Sequence, residues 1–214
     1  MFTALSRLPR LAPAYVGGVQ LGAYALRRAA PAARQRLLRG CSTNVENLRR
    51  GRWDTLATSA VLVEEPMELP YALLLLAVLG HAEYAHGAWR AAGVFAYGHA
   101  GASLLVYAGL RASPGTDPRT RAAIDVGPSY GFNAVAGALA RTLPRGPART
   151  AATGALLALG VRPLLREERT FTDAGHLVAL LLGLTLPIGR ERRNIGRDLR
   201  NKRFRKAGAH ERVR

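Results

Sequence analysis

The feature that most constrains this chain is an alternation of six apolar stretches with strongly basic connectors. The stretches run near 11–26, 69–85, 91–110, 124–140, 150–165 and 171–189. Each approaches the ~20 residues that a helix needs to cross about 30 Å of hydrocarbon. Helices of a soluble protein this size carry a polar face, and Leu73–Leu76, Ala102–Val106 and Leu180–Leu184 show none. The near-zero mean hydropathy of +0.01 averages these blocks with charged loops. The expected fold is therefore all-α: a polytopic membrane bundle of six helices over residues 1–189, followed by a basic tail over 190–214. The first and fifth stretches are short, and each also fits a buried or interfacial helix.

The net charge is +17, and only Lys202 and Lys206 among the basic residues are lysines. Arginine is spread through every connector rather than gathered on one face, so no nucleic-acid partner is expected. Heavy Arg with abundant Ala, Gly and Pro resembles the coding bias of a GC-rich bacterial genome, such as an actinobacterium's. The tail from Arg190 to Arg214 holds eleven Lys and Arg. The positive-inside rule keeps it cytoplasmic, so six spans leave both termini on the cytoplasmic side of the cell membrane. The connector 27–53, with eight arginines, runs against that bias. A basic amphipathic segment on anionic headgroups reconciles it. Arg7 and Arg10 before the first apolar run resemble a signal peptide with a cleavage region at Ala29–Ala33. The intervening Arg27-Arg28 favours an uncleaved first span. Cys41 is alone, which excludes an intrachain disulfide and a CxxC metal or redox site.

Two motifs carry the chemistry. Gly127-Pro128-Ser129-Tyr130-Gly131 and Asp173-Ala174-Gly175-His176 each lie about five residues inside an apolar stretch, the fourth and the sixth. Buried serine and histidine are costly in hydrocarbon, and a pair at matching depth marks a site. Spans starting from the same face put both side chains roughly 7–8 Å below it, at about 1.5 Å per residue. A serine hydroxyl becomes a nucleophile when a base reaches it, and histidine is the usual one near neutral pH. Gly127, Gly131, Ala134 and Gly137 on the fourth stretch, with Ala179 and Gly183 on the sixth, form small-residue faces that allow close helix approach.

These residues resemble the rhomboid intramembrane serine proteases, which have a six-helix core. Gly127-Pro128-Ser129 matches the family's Gly-x-Ser-Gly motif, with Tyr130 in place of its second glycine. His176 and Gly183 match His-x-x-Gly-x-x-x-Gly, with Ala179 at the first of its glycines. Gly51-Arg52-Trp53 with Thr58-Ser59 is similar to the segment entering the second helix, and Glu83, Gly87 and Arg90 to the turn after it. The resemblance covers roughly residues 45–189. It implies that His176 deprotonates Ser129, which attacks a peptide bond of a transmembrane substrate near the outer face, with no metal or cofactor. It departs from the family at the oxyanion donors, whose positions fall at Met67 and Tyr71. Gly127, Tyr130, Tyr71, His99 and Asp173 are candidates for supporting the dyad.

Plainer readings stand beside these. Ser129 and Gly127 also fit simple helix packing, His176 a structural hydrogen bond, and Asp173 a helix cap rather than an orienter of His176. His81 and His86, i and i+5 around Glu83, point about 140° apart on a helix and make a poor metal site. His99, in mid-stretch, packs against the dyad or bonds Tyr97 or Tyr107. Glu64, Glu65 and Glu68 are expected solvated at the mouth of the second span, with substrate contact the alternative. Trp53 and Trp89 suit membrane interfaces. Two functions remain: an intramembrane serine endopeptidase, or a catalytically silent rhomboid-like protein that binds transmembrane clients. A small transporter using His99 and Glu68 is a weaker third, because the polar groups cluster at one surface. The lipid bilayer is the common partner, and the oligomeric state is left open.

Overall fold

The computed structural model describes residues 8–186 and 188, and every regular element among them is helical. In chain order these are α1 (Leu11–Arg27), α2 (Pro31–Cys41), α3 (Val45–Arg49), α4 (Thr55–Val61), α5 (Leu69–His86), α6 (Ala88–Ala112), α7 (Pro118–Arg121), α8 (Ser129–Thr142), α9 (Pro147–Val161), a 3₁₀ turn Arg162–Leu165, and α10 (Phe171–Thr185). Among the described residues only α6 is both long and apolar enough to cross a bilayer by itself; α10 is apolar but shorter. The tail over 190–214 lies outside the described residues.

Much of the packing is small inside and large outside, with buried Leu75, Leu79, Leu180 and Tyr107 among the exceptions. Leu21, Leu69, Leu73, Leu105, Leu159 and Leu165 are exposed, whereas Ala82, Ala102, Ala134, Ala138 and Ala179 are buried. A water-soluble fold inverts this, because large side chains gain most from leaving water. In lipid, where burial in protein gives no such advantage, close helix contact favours small residues inside.

Helices α6, α8 and α10 form the tightest three-way contact. A Cβ on Gly183 would lie 2.0 Å from the carbonyl oxygen of Ala134, and one on Gly137 2.6 Å from that of Leu180. A Cβ on Gly98 of α6 would meet that of Ala134 at 1.9 Å. Helix α9 lies at the edge and contributes no buried residue.

Polar staples fasten the remaining elements. Helix α1 has no side-chain cap of its own. The Glu83 carboxylate accepts from the backbone N–H groups of Arg10, Leu11 and Ala12 at 2.8, 3.0 and 2.8 Å. One anion thus satisfies three amide donors and complements the helix dipole. Gln20 in mid-α1 bonds both the N–H and the carbonyl of Met67 at 2.9 Å. Gly87, at φ +93°, makes the turn from α5 to α6 in a region that L side chains avoid.

Three expectations need correction. Residues 124–128 are not helical, so Ser129 is the first residue of α8 instead of lying five residues inside a helix. Gly127 at φ +133° and the ring of Pro128 end any helix on their N-terminal side. The fifth helix starts at Pro147, where proline suits a first turn, and gives way to the 3₁₀ turn after Val161. The connector 27–53 is not one surface segment. Its residues Ser42, Thr43, Asn44 and Asn47 are buried, and Arg27 and Arg34 pair with Glu65 at 3.7 and 2.6 Å.

Gly183→Val should destabilise the protein by about 1–3 kcal/mol or more, since backbone rather than a flexible side chain opposes the new atoms. Gly22→Ala, with open space around it, should be neutral or gain up to about 1 kcal/mol. Thermal unfolding of the detergent-purified variants distinguishes the two.

Candidate active site

The N-terminus of α8 and the second turn of α10 meet at one end of the three-helix core. There Ser129 Oγ and His176 Nε2 are 2.9 Å apart, at hydrogen-bond distance. Both residues remain partly exposed. The contact depends on the glycine approach of α8 to α10, because an added methyl at Gly183 or Gly137 forces the helices apart.

Ser129 reaches this position through the loop before it. Its turn is pinned by the Gly127 N–H, which donates to the Ser59 carbonyl at 2.7 Å. Further back, Tyr107 donates its hydroxyl to the Asp125 carboxylate at 2.5 Å. The Asp125 N–H donates to Ser42 Oγ at 2.7 Å. The loop therefore descends into the bundle on polar contacts, and the helix begins only at the serine. On the facing side, Thr170 and Asp173 form a capping box that starts α10. Asp173 accepts from the Thr170 N–H at 2.8 Å and from its hydroxyl at 2.9 Å. Its hydrogen bonds thus serve the cap.

Tyr130 is buried between two histidines. Its ring meets His176 edge-on, with centroids 5.4 Å apart and planes at 77°, and lies 6.1 Å from His99. The ring also covers Gly175, where a Cβ would come within 2.3 Å of the phenol. Its hydroxyl makes no well-formed hydrogen bond, with Asp125 and Thr172 as its polar neighbours. Gly131 leaves room for Phe95 of α6 in the same way.

His99 is only 4% exposed and belongs to a second serine–histidine contact. Its Nε2 lies 2.9 Å from Ser59 Oγ, not near Tyr97 or Tyr107 as a bonding partner. Ser59 Oγ in turn lies 2.8 Å from Thr43 Oγ1, which donates to the Thr55 carbonyl at 2.8 Å. This network ties α6 to α4 and to the 41–44 segment. Through the Ser59 carbonyl it also holds Gly127.

The structure thus brings together Gly127, Ser129, Tyr130, Gly131, His99, His176, Gly175 and Gly183. It leaves Tyr71 and Met67 apart. Tyr71 packs edge-on to Phe132 at 6.0 Å, and among the described residues neither it nor Met67 hydrogen-bonds Ser129 or His176. Glu64, Glu65 and Glu68 are exposed, as expected, and Glu65 also pairs with Arg34 at 2.6 Å. Residues that sequence reasoning missed are Ser42, Thr43 and Asp125, while Ser59 and Tyr107 were named without these roles. The available signal was the run Ser42-Thr43-Asn44, with Asn47 three residues on, a polar cluster whose Asn44 caps α3 by accepting from the Asn47 N–H at 2.9 Å.

Ser59→Ala should cost about 1–3 kcal/mol, because Thr43 and His99 lose a partner while buried. His99→Phe should cost a comparable amount. The double variant should cost less than the sum, by a coupling of about 0.5–3 kcal/mol. Additive losses in a thermal or denaturant series would show that the pair does not act as a unit.

A family model described as rhomboid-like protein matches residues 13–195. No curated protein and no solved structure matches the chain. With the matched residues spanning nearly the whole sequence, the chain belongs to the rhomboid-like family of membrane proteins.

Proposed function

We propose that this chain is an intramembrane serine endopeptidase, with Ser129 as nucleophile and His176 as general base, in a bundle whose six apolar helices α1, α5, α6, α8, α9 and α10 span the membrane. The observation that carries the reading is the 2.9 Å separation of Ser129 Oγ and His176 Nε2. Nothing in helix packing alone requires these two polar groups to face each other within an apolar bundle.

The chemistry follows from the geometry. His176 accepts the Ser129 proton as Oγ attacks the carbonyl carbon of a peptide bond in an unwound transmembrane segment. His176 then gives that proton to the departing amine, leaving an acyl-enzyme. Water, deprotonated by His176, hydrolyses the ester. The negative charge of each tetrahedral intermediate needs donors. Because Ser129 opens α8, the first backbone bond of that helix runs from the Phe132 N–H to the Pro128 carbonyl at 2.8 Å. The amides of Ser129, Tyr130 and Gly131 therefore have no intrahelical acceptor, and the positive end of the helix dipole lies at the nucleophile. Backbone donors there take the role that Met67 and Tyr71 do not fill. Tyr130, edge-on to His176, keeps the imidazole in place. Both termini on the cytoplasmic side, with the dyad near the outer face, completes the proposed arrangement.

The lack of a side-chain donor at Met67 and Tyr71 favours one second reading, a silent relative that holds transmembrane clients without cutting them. Losing an oxyanion donor costs ~10²–10³ in rate when nothing replaces it. A fluorophosphonate probe applied to the detergent-purified protein separates the two. The protease should be labelled, and labelling should fall to background in both Ser129→Ala and His176→Ala. No label on the wild type, beside a labelled active rhomboid protease, would assign the chain to client binding.

A further inference from the structure

At the end of α8 opposite Ser129 lies a cavity of about 600 Å³. Its rim carries Arg141 in the last turn of α8, Arg145 in the following loop, and Arg149 in the first turn of α9. Thr150 and Thr153 add hydroxyls, and Leu184 of α10 supplies an apolar wall. Twelve residues of helix separate Arg141 from Ser129, roughly 18 Å along the axis. The cavity is therefore at the other face of the bundle and apart from the serine–histidine contact.

Three guanidinium groups share this cavity, and among the described residues no carboxylate lines it. No Asp or Glu occurs between Asp125 and Glu167 in the sequence. Among the described residues none of the ion pairs, such as those of Arg34 with Glu65 and Arg50 with Glu46, involves Arg141, Arg145 or Arg149. The first turn of α9 adds to the field. Its first backbone bond runs from the Thr150 N–H to the Gly146 carbonyl, which leaves the amides of Ala148 and Arg149 without intrahelical acceptors at the positive end of a 15-residue helix. Such a cluster repels itself until an anion enters, and the planar fork of arginine matches phosphate oxygens two at a time. The surroundings select a phosphate that carries an apolar tail. Leu184 walls the cavity, and Leu159 and Leu165 farther along are exposed. Helix α9 has no buried residue to hold it against the core.

We propose that this cavity binds the phosphate of an anionic phospholipid headgroup, bridging Arg141 and Arg145 to Arg149 and so fastening the loosely packed α9 to α8. The site acts on the position of an edge helix and does not depend on the chain being a protease.

The test is native mass spectrometry of the delipidated full-length protein in detergent, titrated with phosphatidylglycerol, with phosphatidylcholine, and with inorganic phosphate. Wild type should retain phosphatidylglycerol about tenfold more tightly than phosphatidylcholine, and Arg141→Gln/Arg145→Gln/Arg149→Gln should lose that preference. Arg111→Gln/Arg119→Gln, which removes charge elsewhere, should keep it. Three fewer charges also weaken the topology signal, so Arg141→Lys/Arg145→Lys/Arg149→Lys supplies a second measure. It preserves charge but not the fork, and should weaken binding by about 3–10-fold. Equal retention of phosphatidylglycerol by wild type and both triple variants would overturn the proposal. Displacement of the lipid by low-millimolar inorganic phosphate would assign the cavity to a soluble phosphate and overturn the lipid assignment.

Discussion

Everything at the candidate site depends on how closely α8 and α10 approach. Where Gly183 faces the Ala134 carbonyl there is no room for a single added carbon, so the distance between the two helices is set by backbone. That fixed distance lets a serine on one helix and a histidine on the other meet at 2.9 Å. Longer side chains at the seam would separate the pair beyond hydrogen-bond reach. The seam also accounts for many outward-facing leucines, since close backbone contact leaves room mainly for small residues inside, with Leu75 and Leu180 as buried exceptions. In an apolar solvent that arrangement costs little, and in water it would aggregate.

Around this rigid centre the chain uses polar groups where a soluble protein would use a larger core. Glu83 caps α1, Gln20 grips the backbone at Met67, and the Thr43–Ser59–His99 chain anchors α4 to α6. Each satisfies backbone or hydroxyl groups that would otherwise stand bare in a low-dielectric interior, where an unmade hydrogen bond is most expensive. The short helices between α1 and α5 are thus held by direction-specific bonds. Such bonds fix register more sharply than apolar contact does. The register that matters is that of Gly127, two residues before Ser129.

How much of this was legible in the sequence follows from the range of each interaction. The helical segments around Leu11–Arg27, Leu69–His86, Ala88–Ala112 and Phe171–Thr185 followed from apolar runs, which are local. The meeting of Ser129 with His176 was foreseeable from two short motifs and the small residues beside them. The start of α8 was misjudged because Ile124 and Val126 continue the apolar pattern, while Gly127 and Pro128 carry the opposing backbone signal. His99 packs beside Tyr130 next to the Ser129–His176 pair, one of the two expected placements. Its bonding partner is Ser59 rather than Tyr97 or Tyr107, and Ser59 is legible in the sequence only as part of a segment. Their partner relationship spans 40 residues and depends on the docking of α4. A contact of that kind leaves no periodicity to read.

The misjudged helix start changes the chemical argument more than any other difference. Five residues inside a helix, a serine is surrounded by amides already bonded to carbonyls one turn earlier, and stabilising an oxyanion would fall to side chains on another helix. Met67 and Tyr71 are poor candidates for that task. At the first position of a helix the same serine stands among amides that have no acceptor, at the end where the dipole favours negative charge. The departure from the family pattern at Met67 and Tyr71 therefore weighs less against catalysis than residue identities alone suggest. Donors that belong to the backbone are lost to no substitution except proline, and they follow the same Gly127–Ser59 bond that sets the height of Ser129. The polar network behind the loop thus positions Ser129 together with the free amides, and the glycine seam brings His176 to meet them, which is the geometry the proposed protease reading requires.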